Sequence, residues 1–257
     1  MRVLVALVGV VVVLCGGHAS AQWLNYPTQG VPRSPDGKAS LDAPVPRTAD
    51  GKPDLSGLWM PAGGYIRDLV RDVGVANVPF LPASQALYRQ RIASDSRDDP
   101  GAQCIPGGLV RLHTVPYPFR IVPAADRVVF LYEAWQAWRE VLTDGRPLPT
   151  DPQPTWRGYS IGRWEGDEFV VQSAGFNNRG WLDNNGLPAS DRLRVTERLR
   201  RKDFGHMDLQ ITIDDPGAYS KPFSVTVPLT YQPDMEMLEY VCNENNKYFG
   251  LTATPAP

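Results

Sequence analysis

The run WRGYSIGRWEGDEFVVQSA, residues 156–174, admits two readings, and the choice between them decides the fold. Gly158-Tyr159-Ser160-Ile161-Gly162 matches the G-x-S-x-G pattern of a serine hydrolase elbow, where a strand leads into a sharp turn and the turn into a helix. Here the serine is followed by Arg163-Trp164, the turn Glu165-Gly166-Asp167, and then the alternating EFVVQSA, with no helical period. The stretch therefore reads as a β-hairpin. Trp156, Gly158, Ser160, Gly162 and Trp164 fall on one face, and Arg157, Tyr159, Ile161 and Arg163 on the other. The glycines leave space beside the tryptophans for a cross-strand neighbour, for curvature or for a ligand. Ser160 becomes a wall residue. Asp183 or Asp191 and then His206 follow it in the order used by α/β hydrolases, but that order carries no weight without alternating strands and helices.

Outward from the hairpin, period-2 segments succeed one another: LVRLHT (109–114), FRIV (119–122), RVVFLYEA (127–134), AWREVLT (137–143), RLRVTERL (192–199), HMDLQITI (206–213), FSVTVPL (223–229) and MLEYVC (237–242). Turn signals such as Asp144-Gly145 and Asp215-Pro216-Gly217 separate them. One segment, PASQALYRQRIASD at 82–95, has helical composition and spacing. Strands without intervening helices exclude most α/β architectures. The expectation is a mainly β fold, a single antiparallel barrel of calycin-like or similar kind, or a sandwich, with one short helix and an extended N-terminal arm.

The chain opens with Arg2, an apolar run over 3–14 and Ala19-Ser20-Ala21, which is the pattern of a secretory signal peptide over residues 1–21. The run is too short for a stable membrane span, and Leu14 before Cys15 argues against a lipoprotein signal. A secreted or periplasmic protein is expected, with Cys104 and Cys242 joined in one disulfide. Residues 22–53 are rich in proline and contain an echo, VPRSPDGKASL from Val31 and VPRTADGKPDL from Val45, each with a Pro-Arg before an Asp-Gly turn. They read as an extended arm, residues 54–250 as a single barrel-like domain and 251–257 as a disordered tail. A net charge of −2 offers no electrostatic footprint for nucleic acid.

The segments DGKPDLSGLW, DGRPLPTDPQPTWRGYSIGRWEGDEFVV, WLDNNG, VTERLRRKDFGHM and YVCNEN resemble an uncharacterised family of exported bacterial proteins over nearly the whole mature chain. That resemblance implies export and a single β-rich domain, and it brings no activity with it.

Carboxylates on apolar strand faces are the sharpest chemical signal. Glu197 shares its parity with Val195 and Leu199, Glu133 with Val129 and Leu131, and Glu239 with Met237 and Val241. A buried acid has to be paired, hydrogen-bonded or protonated, so each points either to a salt bridge with Arg139 or Arg198 or to acid–base catalysis. The catalytic expectation joins Glu197, with Glu239 second, to His206 or His113 for proton transfer, and uses Arg139 to hold a polar or anionic substrate group. Trp181, Asn178 and Asp183 lie in the polar loop FNNRGWLDNNG and, with Tyr159, Trp164 and Arg111, form the candidate substrate surface. The two functional expectations are a lyase or hydrolase without cofactor or metal, acting on a carbohydrate or phenolic aromatic, and a non-catalytic barrel protein of the cell envelope that holds a small ligand.

Overall fold

The computed structural model describes residues 26–63 and 66–244; the expected signal peptide and tail lie outside them. Nine strands close into one barrel: β1 (Gly57–Pro61), β2 (Phe119–Pro123), β3 (Arg127–Tyr132), β4 (Trp138–Leu142), β5 (Tyr159–Glu165), β6 (Glu168–Ala174), β7 (Arg194–Arg201), β8 (His206–Asp214) and β9 (Phe223–Tyr231). Each strand pairs with its neighbours in chain order, and β9 returns to β1 through Trp59 opposite Tyr231. The alternation seen in sequence is the inside–outside alternation of the wall. In β8, Met207, Leu209, Ile211 and Ile213 are buried while the residues between them are not. Trp59, Phe119, Phe130, Phe169, Leu199 and Val227 complete a filled interior.

Alternating up and down strands close a ring only when their number is even, so nine strands leave one joint that must be parallel. That joint is β4 with β5, and it holds just two residue pairs, Val141 with Ser160 and Leu142 with Ile161. A parallel connection has to carry the chain back along the barrel, which takes a dozen or more residues. The proline-rich segment 143–158 does this on the outside of the wall.

The hairpin of residues 159–174 is present as β5 and β6, in register from Tyr159 opposite Ala174 to Glu165 opposite Glu168. Its glycines receive aromatic rings. A Cβ on Gly162 would lie 2.5 Å from the Phe169 ring and 2.7 Å from Val141, and Gly158 has φ +66° with the Ala174 carbonyl 2.7 Å from where its Cβ would stand. Trp164 packs on Phe169 at 5.3 Å between centroids.

Two expected strands are absent. LVRLHT forms the four-residue helix Leu109–Leu112 instead, and the segment around MLEYVC has no ladder partner. A closed barrel has no free edge, so alternation in a surplus segment finds nothing to pair with. The expected helix runs Pro82–Ala93. Together with the short helix it belongs to the long β1–β2 connection, which caps one end of the barrel. Cys104 of the cap and Cys242 beyond β9 stand at disulfide distance, with Cα atoms 5.6 Å apart.

At the opposite end the two echoes in the arm adopt the same clip. Ser34 N–H donates to the Lys38 carbonyl and Thr48 N–H to the Lys52 carbonyl, both at 2.9 Å. Each clip turns its arginine onto a barrel carboxylate: Arg33 reaches Asp234 at 2.6 and 3.0 Å, and Arg47 reaches Asp167 at 2.8 and 3.1 Å. The repeat is thus a repeated fastening of the arm to the wall.

Candidate functional site

Inside the barrel Glu197, Arg139 and His113 meet. Glu197 stands on β7 between Val171 and Ile211 of the adjoining strands. Arg139 stands on β4 opposite Phe130, and its guanidinium carbon lies 4.6 Å from that ring's centroid. Arg139 donates to Glu197 through Nη1 at 2.6 Å and through Nη2 at 3.2 Å. His113 follows the short helix of the cap and reaches down into the barrel, where its Nε2 lies 2.9 Å from Glu197 Oε1. The rings of Phe119, Phe130 and Tyr132 surround the imidazole edge-on.

All three polar residues are shut away from water. Burial alone would raise the Glu197 carboxyl, but the charge of Arg139 and the hydrogen bond from His113 outweigh it and hold the group at about 2. Burial lowers the His113 pKa below its ordinary value even against Glu197, so the neutral ring donates from Nε2. The centre is therefore an ion pair with a neutral histidine attached.

His206 does not join it. The register sets Glu197 opposite Ile211, five positions along β8 from His206, which is roughly 17 Å at the rise of an antiparallel strand. At the arm end His206 Nδ1 lies 2.8 Å from Asp203, and its side chain is partly exposed. The expected acid–base pair of Glu197 with His206 is corrected accordingly: alternation places both residues on strands but does not bring them to one level. Glu239 is exposed in the segment after β9. Glu133 is buried at the barrel rim, where it accepts the Leu238 N–H at 2.8 Å. Ser160 exchanges a hydrogen bond with Ser173 Oγ at 2.8 Å, in agreement with its reading as a wall residue.

The polar loop also serves the fold. Trp181 is buried with the Arg91 guanidinium 4.6 Å over its ring, and Asp183 accepts the amides of Leu69, Asn185 and Leu187 at 2.9–3.0 Å. Burial pushes the Asp183 carboxyl up to about 6 despite those three donors. Arg111 is buried and held bidentately by Asp99 at 2.6 and 2.7 Å, on a helix and not on a strand. These residues are corrected from ligand platform to cap framework. Asn178 has φ 51° and lines a shallow depression beside Trp156. Among the described residues one group, Asp42, Asp203 and His206, brings three possible metal donors within 4.8 Å of one another. Asp203 Oδ1 there already accepts the amides of Gly205 and His206.

The open site lies where the parallel joint splays. β4 and β5 are joined at its two residue pairs; 138–140 continue without a partner on β5, and residues 146–149 and 155–158 of the crossover segment line the space beside them. This leaves a pocket of about 580 Å³ between the wall and that segment. Such a volume falls in the range of small-molecule sites. Trp138 and Tyr159 are 56% and 38% exposed beside it, Trp156 and Leu148 form apolar sides, and Arg157 and Arg139 contribute the polar part.

The charges around this pocket are compensated, with one exception. Arg146 pairs with Asp144 at 2.8 Å, Glu140 with Arg127 at 2.6 Å, and Arg139 with Glu197. Arg157 has no hydrogen-bond or ion-pair partner among the described residues. Burial lowers its pKa from the ordinary value; the Tyr132 hydroxyl opposes this, and the like charge of Arg139 adds to it. Tyr159 was expected at the ligand surface and Trp164 as well; the first lies at the pocket, and the second is partly buried away from it, packed against the core through Phe169. Arg157, which the alternation placed on one strand face with Tyr159, was not among the expected site residues. Its sequence signal is an arginine at the end of a proline-rich crossover, next to Gly158 and between two aromatics.

Compared with known protein families, curated proteins and solved structures, the chain matches none.

Proposed function

We propose that this is an exported, small-ligand-binding protein of the cell envelope, whose ligand occupies the seam pocket between β4, β5 and the crossover segment. The observation that carries the reading is the pairing of exposed aromatic faces with one uncompensated cation in a concave site. The signal-peptide pattern over residues 1–21 and the Cys104–Cys242 bridge suit an oxidising compartment. No helix among the described residues is long and apolar enough to cross a membrane.

The alternative, lyase or hydrolase chemistry through Glu197, has less support. Glu197 is sealed behind Arg139, and His206 is on another level of the barrel. Catalytic groups have to converge on one reacting atom.

The test is a ligand screen on the purified mature protein with phenolic aromatics, glycosides and oligosaccharides, read by protein NMR and by mass spectrometry of the mixtures. Resonance shifts confined to Trp138, Trp156 and Tyr159 without new products support binding. Turnover of any compound would make the protein an enzyme.

A further inference from the structure

Resting on the reading of the seam pocket as the ligand site, we propose that its ligand is an aromatic monoanion, a planar ring bearing a single carboxylate. The charge count sets the anion. Every other ionic side chain at the pocket has a partner of opposite sign, so Arg157 is the one cation available to a ligand among the described residues. A half-buried guanidinium next to a second arginine is held at an electrostatic cost, which a bound carboxylate removes. A second negative group would find no free cation and would face Glu140 on the same wall. Planarity follows from the sides: Trp138, Trp156 and Tyr159 present ring surface, and Leu142, Ile161 and Leu148 with its flanking prolines supply the aliphatic part.

The experiment is isothermal titration, with NMR to locate the shifts, using four probes: benzoate or 4-hydroxycinnamate, the matching neutral amide, cyclohexanecarboxylate and terephthalate. The expected order has the aromatic monocarboxylate about tenfold or more tighter than its amide, as befits one charge-assisted hydrogen-bonded pair. Cyclohexanecarboxylate and terephthalate are weaker than the aromatic monocarboxylate. Arg157→Gln abolishes the preference for carboxylate over amide and leaves amide binding within about twofold. Trp138→Ala weakens both aromatic probes. Arg157→Lys keeps a charge without the planar fork and recovers part of the preference, which gives a second reading should the glutamine variant fail to fold.

If amide and carboxylate bind alike and Arg157→Gln changes neither, the anion assignment is overturned while the pocket reading stands. If cyclohexanecarboxylate equals benzoate, the aromatic assignment is overturned. If no probe shifts Trp138 or Tyr159, the pocket reading itself fails.

Discussion

Two arginines on facing sides of the β4–β5 joint meet opposite fates. Arg139 points into a dry barrel and spends its terminal nitrogens on Glu197, which His113 also engages. Arg157 stands above the point where the strands part, half-buried and without a counter-charge among the described residues. In the interior an uncompensated charge would cost several kcal/mol, so compensation is built in next to it. At the rim of an opening water screens enough of that cost to let a cation wait for a ligand. The difference teaches which charged side chain belongs to the fold and which is available for binding.

The comparison is broken most severely from the inside. Glu197→Ala leaves Arg139 buried and unpaired, and a loss of about 3–5 kcal/mol in stability is expected from denaturant melts. Glu197→Leu combined with Arg139→Met is expected to be more stable than either single variant, because it removes both charges together.

Acid is the next lever. The Glu197 carboxyl is held at about 2, against an ordinary value of 4.5 in the unfolded chain, so its contribution is complete above pH 4.5 and is lost as pH falls towards 2. That loss amounts to about 3 kcal/mol. His113, whose pKa is also lowered, pushes in the same direction, since the unfolded chain takes up its proton first as the pH falls. Melts of Glu197→Gln between pH 5 and 2 are expected to show a flatter profile than the parent protein.

Outside the barrel the effects shrink. Arg157→Gln is expected to change stability by no more than about 0.5 kcal/mol while removing carboxylate binding, the inverse of the outcome at Glu197. Smallest of all is Arg47→Ala, which frees one clip of the arm. Its pair with Asp167 is exposed, so the melting temperature is expected to stay nearly constant while proteolysis of the arm quickens.

Much of the barrel was legible because half-buried strands alternate, and eight of the nine strands announced themselves this way with the hairpin of residues 159–174 as the firmest. The failures have physical causes. β1 is five residues with a glycine at one end and a proline at the other, too little for a period to show. The helix Leu109–Leu112 makes one turn, and over four residues a helical and a strand period cannot be told apart. The crossover of residues 143–158 did carry a sign of the parallel joint: it is far longer than the two to five residues of a hairpin loop.

At the site, parity singled out Glu197 as inward-facing and offered Arg139 as its partner, and both hold. Parity is blind to level along the barrel, so it did not separate Glu197 from His206, and the polarity of the loop FNNRGWLDNNG is blind to depth, so it made Trp181 and Asp183 a ligand surface. By itself the sequence determined the strand period, the cysteine pair, the tandem Asp-Gly turns of the arm and which faces are apolar, because these depend on residues close in the chain or on simple composition. Only the tertiary structure decided that nine strands leave one parallel joint, that the joint splays, and that Arg139 is neutralised there while Arg157 is not. Those outcomes depend on how the ring closes, and closure brings together residues that no local pattern relates.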